Sequence, residues 1–297
     1  MRIILTFLLT LLAMPAQALN VVASTSDLAA IAREVVGPDG QVTAMSKASQ
    51  DPHYVDARPS LTLQLNKADL VLVNGLELEV GWLPTLLTNA RNTKVLPGSD
   101  GYFDASNFVR LLEVPVGKID RAQGDIHPGG NPHFLHDPRA AAKTAVALGD
   151  RLAKLDPKHA DAFHARAKDF AQKADGLAAS WKAKFDALPA SSRKIVAYHA
   201  SLPYLLDWLD LAQIITVEPK PGIQPNPGHV AKVLKTMREQ GAKVVIQEAY
   251  YPTKTSQTIA QMAKGKVVVI PGGTGPDETY LQRADRTAKE LYDALKN

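Results

Sequence analysis

Short β-branched runs alternate with stretches of helical periodicity along the chain from residue 19 onward. Residues 19–23 (LNVVA) read as a strand, and Ser24, Thr25, Ser26 and Asp27 then offer capping oxygens to a helix that runs to Val36 and stops at Gly37-Pro38. Residues 41–46 form the next strand, a loop through Asp51-Pro52-His53 leads to a helix over 60–67, and 69–73 is strand again. The second half repeats this order: strand 194–198, helix 203–209, strand 213–217, helix 227–240, strand 243–247, helix 253–264, strand 266–270 and a terminal helix from about residue 277. That β-α-β grammar predicts parallel sheets. Residues 137–188 have a different texture, rich in Ala and Lys without a strand signal, and predict two helices because Pro157 can only open the second. A helix over 157–187 would be about 45 Å long at 1.5 Å per residue, enough to join two lobes as a strut. The predicted fold class is therefore α/β: two mostly parallel-sheet lobes, residues 19–156 and 188–297, joined by a long helix over 157–187.

The first eighteen residues obey a different rule. Met1-Arg2 precedes an apolar run over 3–14 and a small-x-small end, Ala16-Gln17-Ala18. This is the pattern of a cleavable secretory signal over residues 1–18, and the run is too short for a membrane span. The mature chain is expected in the periplasm. Hydrophobic residues at 45% and charged residues at 22% describe an ordinary globular chain and exclude disorder. Lys and Arg number 34 against 30 Asp and Glu, a narrow excess that gives no reason to expect nucleic acid as a partner. The chain has no cysteine, which removes thiolate chemistry, disulfides and Cys-type zinc sites, so any metal site must use His, Asp or Glu.

In parallel α/β sheets the ligand crevice lies off the carboxyl ends of the strands. His53 follows one predicted strand, His199 follows another in the opposite half, and Glu248 ends a third, so three ligand-capable side chains project from equivalent sheet edges. His133 and His136 lie in Asn131-Pro132-His133-Phe134-Leu135-His136-Asp137-Pro138, where Pro132 restrains the backbone and Asp137 caps the helix that Pro138 opens. Other histidines have blander readings. His159 and His164, about 140° apart on a helix, are expected to be solvated. His229 opens a helix at the surface, and His127 sits in a Gly/Pro-rich loop expected to be mobile.

Four ordered motifs carry a family resemblance: Asp51-Pro52-His53 with Arg58-Pro59-Ser60; Ala68 to Gly75 with Glu79 and Trp82; Asn131-Pro132-His133 with Asp137-Pro138; and Tyr198-His199. They resemble the substrate-binding proteins of bacterial zinc and manganese ABC importers, over essentially everything after the signal segment. The resemblance implies a rigid linking helix, a metal in the inter-lobe cleft, and no enzymatic activity. It implies capture of Zn(II), with Mn(II) as the competing cargo, and delivery to an ABC importer permease at the inner membrane by a monomeric protein. His53, His133 and His199 match the family's histidine ligands. The fourth ligand is often an Asp after the last strand, but Ile270-Pro271-Gly272-Gly273 offers no carboxylate there. Glu248 is the expected replacement, with Asp277, His136 and His127 as alternatives. Three imidazoles and one carboxylate suit zinc better than manganese, which prefers more oxygen. Affinity should then fall as pH drops through roughly 6.5. The rival readings are a manganese-specific protein of the same type and, from another class, a secreted zinc-dependent hydrolase. A hydrolase needs a general base beside the metal water, and no His-Glu-x-x-His spacing occurs.

Overall fold

The computed structural model describes residues 18–117 and 124–296, so the expected signal segment lies outside the described residues except for Ala18. The first lobe contains β1 (Leu19–Ala23), α1 (Ser26–Val36), β2 (Gly40–Ala44), α2 (Pro59–Lys67), β3 (Leu70–Val73), α3 (Leu83–Ala90), β4 (Tyr102–Asp104) and α4 (Pro138–Leu155). The helix α5 (Ala160–Asp186) follows. The second lobe contains β5 (Lys194–Ala197), α6 (Pro203–Leu209), β6 (Ala212–Thr216), α7 (Pro227–Gln240), β7 (Val244–Glu248), α8 (Thr253–Met262), β8 (Lys266–Ile270) and α9 (Tyr280–Lys296).

Each lobe holds one four-stranded sheet, ordered β2-β1-β3-β4 in the first and β6-β5-β7-β8 in the second, and every adjacent pair runs parallel. The two sheets thus share one topology. Helices cover both faces, which is why β3 (LVLV) and β7 (VVIQE) are buried at every position instead of alternating. The helix starts follow local chemistry. Thr25 caps α1, Asp137 caps α4 and Asn226 caps α7, each accepting a first-turn N–H, and proline opens α4 and α7.

α5 belongs to both lobes. Phe163, Ala167, Phe170 and Ala174 lie in the core of the first lobe, and Ala178, Trp181 and Phe185 in the core of the second. Their spacing of three and four residues puts all seven on one stripe. The helix is 27 residues long, about 40 Å. It begins three residues later than the sequence suggests because Pro157–His159 forms a single 3-10 turn, with the His159 ring turned back onto Asp156. α9 repeats the device: Tyr280 and Ala284 pack in the first core, Ala288, Leu291 and Leu295 in the second. Among the described residues no helix is long and apolar enough to cross a membrane.

Candidate metal centre

His53 hangs in the loop after β2. Asp51 Oδ1 accepts both its backbone N–H at 2.9 Å and its ring Nδ1 at 2.7 Å, and Trp82 Nε1 donates to the Pro52 carbonyl at 2.9 Å. His199 follows β5 in the other lobe, with Nδ1 2.7 Å from Glu218 Oε2, which also accepts the Gly222 N–H at 3.0 Å. His127 places Nδ1 2.8 Å from the Leu76 carbonyl. Gly75, Leu76 and Glu77 are consecutive left-handed residues, with φ of 87°, 55° and 63°. The buried Glu79 carboxylate holds this turn by accepting the N–H groups of Asn74 at 2.7 Å and Gly75 at 3.2 Å.

These partners fix the tautomers. A carbonyl or a carboxylate can only accept, so Nδ1 carries a proton in His53, His127 and His199, and Nε2 is the atom that presents a lone pair whenever the ring is neutral. His133 is held through its backbone: its N–H donates to Asn131 Oδ1 at 3.1 Å, and Asn74 Nδ2 donates to the Pro132 carbonyl at 2.7 Å. Asn131 also reaches across the cleft to the Ala200 carbonyl at 2.7 Å.

The four rings converge. Centroids are 5.2 Å apart for His53 and His133, 5.3 Å for His53 and His127, 5.9 Å for His133 and His199, and 6.1 Å for His53 and His199. Two imidazoles on one tetrahedral zinc ion hold their nitrogens about 3.3 Å and their centroids about 5.2 Å apart. The first two spacings match this geometry, and Nε2 of His53 stands 3.3 Å from Nε2 of His127. His199 is wider by about 0.7 to 0.9 Å. Among the described residues no group of three or more His, Asp or Glu side chains is arranged, as it stands, to hold a metal ion, and the widest of the ring spacings are those of His199.

Electrostatics keep two of these rings, His133 and His127, neutral. Burial, then the neighbouring His53, His199, His136 and His127, holds His133 well below its ordinary 6.5. Burial, then His53, lowers His127 to about 4. His199 moves the other way: burial opposes its charge, but the Glu218 carboxylate outweighs burial and raises it.

The remaining candidates lie elsewhere. Glu248 is buried at the end of β7, where Oε1 accepts from Ser201 Oγ and lies 3.9 Å from His136 Nε2. Among the described residues Glu248 Oε2 and His136 Nδ1 have no hydrogen-bond partner. Burial raises Glu248 against the opposing pull of Ser201 and His199, and burial with the nearby Arg283 lowers His136 to about 3. The two face each other across 3.9 Å, with His136 neutral. Asp277 is exposed in the turn before α9. His127 departs from its sequence reading as part of a mobile loop, because its ring is fixed between Leu76 and His53. The orienting carboxylates Asp51 and Glu218 went unread; Asp51 is visible two residues before His53, but Glu218 meets His199 only once β6 pairs with β5.

The space at the histidines is small. Cavities of about 250 and 150 Å³ flank them, below the range of roughly 300–1,000 Å³ typical of organic ligand sites. A larger groove of about 1,070 Å³ runs along α4 near Phe108, Arg139 and Val146 and includes none of these histidines.

Comparison with known proteins gives a consistent picture. The family model described as "ZnuA: Zinc-uptake complex component A periplasmic" matches residues 21–294. The "Manganese ABC transporter substrate-binding lipoprotein PsaA" of Streptococcus anginosus is 24% identical over 248 residues, covering 82% of this chain and 77% of its own. A crystal structure of ZnuA superposes with a TM-score of 0.76 at 21% identity, covering 94% of this chain and 99% of that one. A Mn-bound mutant of a periplasmic metal binding protein from candidatus liberibacter asiaticus gives 0.77 at 19% identity, covering 93% and 98%.

Proposed function

Because the chain belongs to the family of the periplasmic zinc-uptake component A, the metal-binding substrate-binding proteins of ABC transporters rather than enzymes, we propose that it captures Zn(II) outside the inner membrane and delivers it to an ABC permease. One observation carries the reading. Imidazoles from both lobes, His53 and His133 from the first and His199 from the second, gather with ring centroids 5.2 to 6.1 Å apart, and acceptors on Nδ1 leave Nε2 of His53 and His199 for a metal. A donor set dominated by imidazole nitrogen favours zinc. Because the donors come from both lobes, bound metal ties the lobes together and adds its binding free energy to the stability of the folded chain.

The competing cargo is manganese, favoured by the name of the streptococcal relative and by the Mn-bound structural neighbour. The fourth position is the weaker part of the expected ligand set. Glu248, bonded to Ser201 and facing His136, acts in this reading as a buried brace behind the donors.

The test is metal analysis of the purified protein with competitive titration of zinc and manganese, repeated on His53→Ala, His133→Ala, His199→Ala and Glu248→Ala. Each histidine variant should lose zinc affinity by more than the roughly 10–100-fold seen for outer-shell changes. Preference for manganese in the parent protein refutes the zinc reading. A Glu248→Ala loss as large as that of His53→Ala makes Glu248 a ligand.

A further inference from the structure

Residues 124–130 form a strap over the histidines that touches both lobes. On the first lobe His127 Nδ1 bonds the Leu76 carbonyl at 2.8 Å, and Tyr54 donates its hydroxyl to Asp125 Oδ2 at 3.0 Å. On the second lobe the Asp125 N–H donates to the Pro221 carbonyl at 3.0 Å, beside the tight turn closed by Ile223 N–H to the Lys220 carbonyl at 3.0 Å. Two left-handed glycines make the approach possible. A β-carbon on Gly124 would overlap the Pro221 carbonyl, and one on Gly222 would overlap the Asp125 carboxylate. Gly222 also donates its N–H to Glu218, the carboxylate that orients His199. One end of the strap thus meets His53, and the other sits on the turn whose Gly222 holds Glu218, the carboxylate bonded to His199.

The contact between His53 and His127 needs an explanation. With Nδ1 of each ring committed to an acceptor, the two Nε2 atoms face each other at 3.3 Å. Two bare lone pairs at that distance repel, so the contact calls for a proton on one nitrogen or a metal cation between them, and its length is the one a shared tetrahedral ion imposes. The lobes themselves are poorly suited to swing apart, because α5 and α9 are each embedded in both cores.

We propose that His127 is the fourth donor to the cargo ion and that the strap is the ion's gate, lifting from His53 and from the 220–222 turn to admit or release it. The proposal rests on the zinc reading above. A fourth imidazole in place of a carboxylate moves the site further towards zinc and away from manganese. It also gives the site an exchange route that requires no separation of the lobes.

The experiment loads the purified full-length mature protein with zinc and follows its release into excess chelator by stopped flow, beside equilibrium zinc and manganese titrations. His127→Ala should weaken zinc by at least about 10-fold and manganese by much less. Gly222→Ala keeps every donor but pushes Asp125 off the turn, and should speed zinc release by roughly 10-fold. Tyr54→Phe removes only the hydroxyl bond to Asp125 and should speed release by a smaller factor, which covers the case of a poorly folded Gly222→Ala. Parental affinity in His127→Ala, or parental release rates in both strap variants, overturns the proposal. His53→Ala separates the two readings: if it loses zinc while the strap variants behave like the parent, the zinc site stands and the gate falls; if it also binds normally, the zinc site falls too.

Discussion

Arg283 tests how the second lobe holds the metal loop of the first. The guanidinium is wholly buried; its Nη2 donates to the Leu135 carbonyl at 2.8 Å, and its Nε lies 3.0 Å from Asp27 Oδ1, a close ion pair whose alignment falls short of a hydrogen bond. Leu135 is two residues beyond His133, and its carbonyl also accepts the Tyr280 hydroxyl at 2.9 Å. Replacing Arg283 with Met removes one partner of a buried pair, a change that costs about 3–5 kcal/mol. The lower end applies here. Asp27 keeps the Thr274 N–H at 2.7 Å and the Thr274 hydroxyl at 2.5 Å, and Leu135 keeps Tyr280, so neither is orphaned. With about 3 kcal/mol lost and a urea slope near 3 kcal/mol per molar, the metal-free midpoint should fall by about 1 M. Asp27→Asn combined with Arg283→Met should cost less than the sum of the single changes, since the two residues act as one unit. Zinc affinity should fall as well, because the His133 loop loses its anchor. A loss below about 1 kcal/mol, or strict additivity in the double variant, would refute the clamp.

Three further predictions concern the site and the strut. Glu218→Gln, which keeps the shape but not the charge behind His199, should lower zinc affinity about 10–100-fold at pH 7.5 in a chelator competition assay. Zinc must displace the proton that Glu218 stabilises on His199, whose pKa lies above 6.5; affinity should therefore start to fall at a higher pH than free imidazole would dictate. His127, near 4, and His133, well below 6.5, add little to that fall, and the Glu218→Gln variant should show a shallower decline from pH 7.5 to 5.5; an unchanged slope would count against the assignment. Two helix glycines should respond in opposite directions in thermal melts. Gly176→Ala on the exposed face of α5 meets open space and should stabilise by about 0.5–1 kcal/mol. Gly149→Ala on α4 places its β-carbon 2.8 Å from Ala167 Cβ and should destabilise by about 1–3 kcal/mol.

Much of this was legible in the residues because it is local. Strand β1, the Thr25 cap, the proline-opened helices and strand β8 depend on neighbours within a few positions, and the periodicity reports them. β4 was not read because Tyr102–Asp104 is too short to show a period and buries one large side chain, Phe103. The amphipathic α3 also went unread beyond Trp82. At the site, His53 and His199 were marked by their position after strands, and His133 by the proline-restrained loop. What the sequence could not show was long-range: Glu218 reaches His199 across a strand pair, and Leu76 meets His127 through a left-handed turn braced by Glu79. Whether Glu248 faced the cleft or the protein interior was also beyond local pattern, since it depends on Ser201 and His136.

The stripe along α5 also bears on how the molecule comes apart. Phe163 and Phe170 are covered by one half and Trp181 and Phe185 by the other, so melting either half strips the opposite half of part of its own interior. Denaturation should therefore proceed as a single concerted event, and neither half can be excised, swapped or expressed separately as an independent module.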